Sequence, residues 1–128
     1  MAAITTFEEI ESWKRGRELC RRLYAITSQG TFARDFGLRD QIRRAAVSIL
    51  SNIAEGFERD SGDKDFRHFL GLAKGSAGEV RAQLYVATDA GYLTPVEFDE
   101  LMKLVTDVSI LLRRFMVYLE SSMNRPKT

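Results

Sequence analysis

Cysteine, proline and histidine are nearly missing from this 128-residue chain, which holds one, two and one of them respectively. A single cysteine, Cys20, excludes an internal disulfide framework and fits a reducing, cytoplasmic setting. Two prolines leave long helices uninterrupted. The lone histidine, His68, is not part of a Glu-x-x-His motif, and the carboxylate-bridged metal pairs of helical bundles draw on two such motifs. No run approaches the roughly 18 consecutive apolar residues of a membrane span. The opening MAAITTFEEIES has neither a basic region nor an apolar stretch, so it does not read as a signal peptide. The net charge of +1 provides no global basic field. The glycines of GLAKGSAG follow no strand and precede no GK[ST], which excludes a phosphate-binding loop.

What is present is helical periodicity. With 45% hydrophobic and 29% charged residues, the chain reads as one domain over residues 1–123 with a flexible tail at 124–128. A domain of this size buries about two thirds of its unfolded surface, enough for a core without staples. The expected fold is all-α, an up-down antiparallel four-helix bundle. The first helix is expected from about Thr6, where Thr6 and Glu9 form a capping box, to Ser28. Its apolar face comprises Trp13, Leu19, Cys20, Leu23 and Tyr24. Residues 29–37 break the pattern. The second helix runs from about Leu38 to Arg59 on Leu38, Ile42, Ala45, Ile49 and Ile53. The third runs from about Asp63 to Ala90, on a seam from Phe66 through Leu70, Ala73, Ala77, Val80 and Leu84 to Ala87. Thr94, Pro95 and Glu97 mark the start of the fourth with a cap, a first-turn proline and a second capping box. Its seam is Phe98, Leu101, Val105, Val108, Leu112, Phe115 and Leu119. Steps alternating between four and three are those of helices packed nearly parallel or antiparallel, and short connections make successive helices antiparallel.

Three features exceed what a bundle needs. On the second helix, Ala45, Val47, Ile49, Leu50, Ile53 and Ala54 cover an apolar arc of roughly 200°. Such excess goes to a partner subunit or to a wide internal contact. On the third, Gly71, Gly75, Gly78 and Ala82 lie away from the core seam. Each glycine costs about 1 kcal/mol relative to alanine, which favours a face made for close backbone approach. Beside the core of the second helix runs a polar stripe, Gln41, Arg44, Ser48, Asn52 and Glu55, and Ser76, Glu79 and Gln83 offer a matching edge on the third. Together they are candidates for a hydrogen-bonded network at an oligomer interface.

Charge is distributed unevenly. Between Lys14 and Arg44, nine basic residues face three acidic ones, a local excess of +6; between Glu79 and Asp107, two basic residues face six acidic ones, −4. Arg15, Arg22, Arg39 and Arg43 are the candidates for contacting phosphates of a nucleic acid. Arg44 is set apart, because its stripe is expected to hold it within the bundle. No catalytic constellation and no cofactor site is read. Cys20 occupies a core position without a base partner. The alternative is a metal-binding or enzymatic bundle using Glu55 and Glu79.

The second and third helices resemble the small bacterial four-helix-bundle proteins known as 23S rRNA-intervening-sequence proteins. The resemblance rests on LRDQIRRAAVSILSNIAEGF at 38–57, above all Gln41, Arg44, Ala45, Ser48 and the NIAEG of 52–56. It extends to Phe69, Leu70, Ala73, Gly75, Ser76 and Glu79, and to Phe7, Ile10 and Trp13 near the start. Ile49-Leu50 departs from the Ile-Pro found in many members. The resemblance implies a cytoplasmic homopentamer. Similar accessory proteins of diversity-generating retroelements bind nucleic acid and a reverse transcriptase. The expectation is therefore a non-enzymatic homo-oligomeric interaction protein whose partners are itself and, as candidates, RNA or a nucleic-acid-processing protein.

Overall fold

A computed structural model describes residues 3–123; the tail at 124–128 lies outside the described residues. Four α-helices run through the chain, α1 (Glu11–Ile26), α2 (Phe36–Glu58), α3 (Asp63–Asp89) and α4 (Pro95–Met123), with short 3-10 turns at Phe7–Glu9 and Phe32–Arg34. Among the described residues there is no strand. Each helix packs on its neighbours in sequence, and α1 closes the ring against α4. The fold is the four-helix bundle its periodicity predicts.

The core is built from the expected seams. Leu19, Leu23, Ile42, Ile49, Ile53, Leu70, Leu84 and Leu112 are fully enclosed. Each such side chain contributes about 1.5–3 kcal/mol by leaving water. The start of α4 is also as expected: the Glu97 amide donates to Thr94 Oγ1 at 3.1 Å and the Thr94 amide to Glu97 Oε1 at 2.8 Å.

The other helix boundaries differ in instructive ways. The Thr6–Glu9 box exists, but it closes a 3-10 turn rather than opening α1. Ile10 then adopts an extended conformation that buries its side chain, and α1 begins at Glu11. The segment between α1 and α2 is a pinned corner. Buried Phe32 stacks on Tyr92 with centroids 4.9 Å apart. The Tyr92 hydroxyl donates to Asp35 Oδ2 at 2.9 Å, while Asp35 Oδ1 accepts the Leu38 amide at 3.1 Å. Asp35 is thus the N-cap of α2, which starts at Phe36, two residues earlier than expected. The same carboxylate raises the Tyr92 pKa, chiefly because the phenol donates to it.

The broad apolar arc of α2 serves the inside of the bundle. Ala45, Ile49 and Ile53 are buried, and Leu50 reaches under α1. There a Cβ added to Gly16 would lie 3.1 Å from Leu50 Cδ2 and 3.4 Å from Ile49 Cγ2. Within the arc, Val47 stays exposed. The arc is therefore mainly a wide internal contact rather than a surface left over for a partner.

Candidate functional site

The polar stripes of α2 and α3 meet. Antiparallel packing sets Ser48 opposite Ser76, whose hydroxyl donates to Ser48 Oγ at 2.9 Å. Asn52 Nδ2 donates to the Ser48 carbonyl at 2.9 Å and to its hydroxyl at 3.0 Å. One turn further, the helices touch closely: a Cβ on Gly56 would lie 2.5 Å from Phe69 Cβ and 3.1 Å from Phe66 Cδ1. Above the two serines the helices leave a groove of about 390 Å³, walled by Gln41, Arg44, Ser48, Ser76, Glu79 and Gln83.

The groove has an anchored floor and an unengaged mouth. Arg44 and Glu79 are exposed and form no ion pair or hydrogen bond among the described residues. Gln83 Oε1 is enclosed without a partner. Arg44, expected to be held in the bundle, projects at the outer edge of the stripe. Glu55 falls outside the groove and pairs with Arg59 at 3.9 Å.

Glu55 and Glu79 are not brought together. Glu79 and Ala45 wall the same groove, and ten residues of helix, about 15 Å, separate Ala45 from Glu55. That is too far for one metal ion or one shared proton. No group of three His, Cys, Asp or Glu side chains among the described residues has the proximity to hold a metal. Cys20 is buried, and burial pushes its thiol up to about 11, away from nucleophilic use at neutral pH.

The glycine face lies on the outside of α3. A Cβ added to Gly71 would meet Met116 Cε of α4 at an ordinary 3.6 Å, but one on Gly75 or Gly78 would meet nothing within 4 Å among the described residues. Gly75 belongs to a further three-four repeat, Leu72, Gly75, Glu79, Ala82 and Val86, which shares one exposed side of the helix. Leu72 is 45% and Val86 54% exposed. This outer apolar row is visible in the sequence spacing, but reading the face by its small residues alone misses Leu72 and Val86.

The four candidate arginines do not form one row. Arg22 pairs with Glu100 of α4, while Arg15 sits beside Glu18 at 3.5 Å. Arg39 donates to Asp40 at 2.9 Å and to the Ala33 carbonyl at 3.1 Å. Arg43 donates to Thr27 Oγ1 at 2.8 Å and Ser28 Oγ at 3.0 Å, its guanidinium 4.6 Å from the centre of the Tyr24 ring. Arg15 and Arg22 follow the α1–α4 seam, and Arg39 and Arg43 the α1–α2 side. Arg17 and Arg21, which the sequence reading did not single out, are exposed with no ion pair among the described residues.

Fold and surface define a class: an up-down four-helix bundle whose second and third helices close around a partly anchored polar groove beside a glycine-bearing outer face. The sequence model of the 23S rRNA-intervening sequence proteins matches residues 8–114, and the chain belongs to that family. No curated protein matches the chain. Among solved structures, a protein of unknown function from the S23 ribosomal protein family of Bacteroides thetaiotaomicron shares the fold. The two are 23% identical with a TM-score of 0.73, covering 82% of this chain and 97% of that one. The residues carrying the family resemblance thereby gain a physical reading. Ser48 and Ser76 bond α2 to α3, Asn52 anchors Ser48, and Gly56 lets Phe69 approach, whereas Arg44, Glu79 and Gly75 have no such contact among the described residues.

Proposed function

We propose that the protein is a non-enzymatic, homo-oligomeric interaction protein that assembles through the outer face of α3 and the adjoining mouth of the polar groove. One observation carries this reading. Gly75 and Gly78 weaken the helix by about 1 kcal/mol each, and among the described residues nothing lies within 4 Å of where a side chain would begin. Their advantage therefore lies outside the subunit, in a backbone approached by another chain. Leu72 and Val86 supply apolar contact on either side, and Arg44 and Glu79 supply opposite charges at its edge. In a cyclic ring the contacts are heterologous, so this face meets a different patch of the next subunit. Five subunits is the number the family resemblance implies.

Light scattering on the purified protein tests this. The expected mass at micromolar concentration is that of a pentamer, and Gly75→Leu dissociates it while helicity is retained. A monomer mass for the unaltered protein overturns the reading.

Association with RNA is a second reading, favoured by Arg17 and Arg21, which are exposed on α1. Arg15, Arg22, Arg39 and Arg43 can join them, since a guanidinium has five N–H donors and can keep an internal contact while meeting a phosphate. Ring symmetry would repeat these contacts. Binding is then weakly sequence-specific and falls steeply with salt. Replacing those four with Glu is expected to abolish retention of structured RNA in a low-salt gel shift, and no retention by the unaltered protein rejects this reading.

A further inference from the structure

Height along the bundle limits what can meet the α3 face in a ring of parallel subunits. The bond between Ser76 and Ser48 puts those two residues at one height. Antiparallel helices rise equally, about 1.5 Å per residue, so Val47 stands level with Ala77 and Phe36 with Thr88. On the other side of α2, Gly16 lies against Ile49 and Leu50, which sets Arg21 level with Arg44 and Tyr24 level with Gln41. Arg44 and Gln41 in turn wall the groove with Glu79 and Gln83. Arg21 is therefore level with Glu79, and Tyr24 with Ala82, to within about 3 Å.

The seam between α1 and α2 carries exposed apolar side chains at these heights. Tyr24 is 45%, Phe36 63% and Val47 40% exposed. They share one side of the bundle. The Arg43 guanidinium lies 4.6 Å from the centre of the Tyr24 ring and that of Arg39 4.8 Å from the centre of Phe36, and Arg39, Arg43 and Val47 follow one another at steps of four on α2. The rim of the seam is basic. Arg21 and Arg34 are exposed and have no ion pair or side-chain hydrogen bond among the described residues, while the nearby acids Asp35 and Asp40 are taken by Tyr92 and Arg39.

The outer face of α3 is its complement. Between exposed Leu72 and Val86 it forms a trough over Gly75, Gly78 and Ala82, and its charges without a partner among the described residues, Glu79 and Asp89, are acidic. Arg81 lies about 200° round the helix from Glu79, and Arg44 stands across the groove on α2. The seam and the trough both border α2, one on its α1 side and the other on its α3 side. They are set at an angle rather than back to back, so that successive contacts can close a ring.

Resting on the assembly reading above, we propose that the α3 face of one subunit receives the α1–α2 seam of the next copy. With the bundles side by side, residues of one height meet. Tyr24 enters the trough over Gly78 and Ala82, Val47 lies against the backbone at Gly75 and Gly78, Phe36 packs on Val86, and Arg21 pairs with Glu79. Opposite rims fix which surface is received.

Sedimentation velocity on the full-length protein, with circular dichroism to confirm helicity, tests the seam. Arg21→Glu and Glu79→Arg are each expected to raise the concentration at which the assembly dissociates by about tenfold or more. The variant carrying both changes is expected to return to within about threefold of the unaltered protein. Within one subunit α1 and α3 are diagonal corners of the bundle, so only a contact between subunits gives that rescue. Tyr24→Ala is expected to weaken assembly by a similar factor; should it lose helicity, Ala82→Trp fills the trough from the other side with the same expected effect. Ile110→Ala, at an exposed position of α4 outside both patches, is expected to change nothing. A monomeric unaltered protein removes the assembly reading and this proposal with it. An assembled protein that keeps its affinity in either reversal, or that the double variant does not restore, overturns the seam and leaves assembly through α3 standing. So do reversals that spare assembly and change only the retention of RNA at low salt, an outcome that gives the seam to nucleic acid.

Discussion

Placing alanine at Gly56 and, separately, at Gly75 separates two reasons for a glycine inside a helix. At Gly56 the added methyl would lie 2.5 Å from Phe69 Cβ. That atom is fixed to the α3 backbone, so no rotamer change relieves the clash and the two helices must move apart. Overpacking of a tight contact costs typically about 1–3 kcal/mol. The rigid neighbour puts this site at the upper end, about 3 kcal/mol. Alanine returns about 1 kcal/mol through its helix propensity. The expected net loss is about 2 kcal/mol, a fall in melting temperature of about 8 °C for a domain of this size.

At Gly75 the methyl meets nothing within 4 Å. In an isolated subunit Gly75→Ala should therefore raise stability by about 1 kcal/mol. If another subunit's backbone lies against that face, the same methyl weakens association, and the change in apparent stability then depends on protein concentration. Guanidinium unfolding followed by far-ultraviolet circular dichroism, at two protein concentrations tenfold apart, reads both effects. A neutral or stabilising Gly56→Ala refutes the close α2–α3 approach. A Gly75→Ala gain that is independent of concentration refutes the assembly face.

Two predictions concern titration. Burial raises the Cys20 thiol to about 11, so at pH 8 the native protein should react with a thiol reagent far more slowly than the unfolded chain. Because the folded-state pKa is the higher one, stability should decline as pH rises from the ordinary cysteine value toward 11, and equal reactivity of folded and unfolded protein would sink this. The Glu9 carboxylate is held below its ordinary value, first by the Thr6 amide and then by that of Thr5. This latch on the turn before α1 should be closed above the ordinary carboxylate range and open as pH falls through the depressed value; if the Thr5 and Thr6 amide shifts titrate at the ordinary glutamate value, the latch is absent.

The sequence disclosed those parts of the fold that depend on one helix at a time. The seams, the Thr94 cap and the polar stripes each repeat along a single segment, so spacing alone reveals them. Features that join distant segments were hidden. The stacking of Phe32 on Tyr92 and the hydrogen bond from Tyr92 to Asp35 link residues 57 or more positions apart. Asp35 does carry a local signal, a capping residue just ahead of an apolar repeat, but it lies inside the 29–37 break in periodicity, where spacing says nothing of it. For the arginines, a helical wheel gives the direction of a side chain and not its partners. Arg43 reaches back to Thr27 and Ser28 at the C-terminal end of α1, whereas Arg44, one residue later and turned by about 100°, faces the open groove.

That difference of one residue clarifies what the family pattern in α2 and α3 can mean. A shared residue constrains function only after its structural duty is accounted for. Ser48, Asn52 and Ser76 close a hydrogen-bonded set between two helices, and Gly56 permits those helices to approach at Phe69. These four would be required of any bundle built this way, whatever it binds. Among the described residues, Arg44 and Glu79 face the same groove without a partner, and Gly75 weakens its helix without relieving any contact. Their chemistry, two opposite charges beside a bare stretch of backbone, suits recognition of a protein surface. The strongest functional signal in this chain therefore comes from exposed residues without a contact among the described residues, Gly75 and Glu79 on the outer side of α3 and Arg44 across the groove on α2.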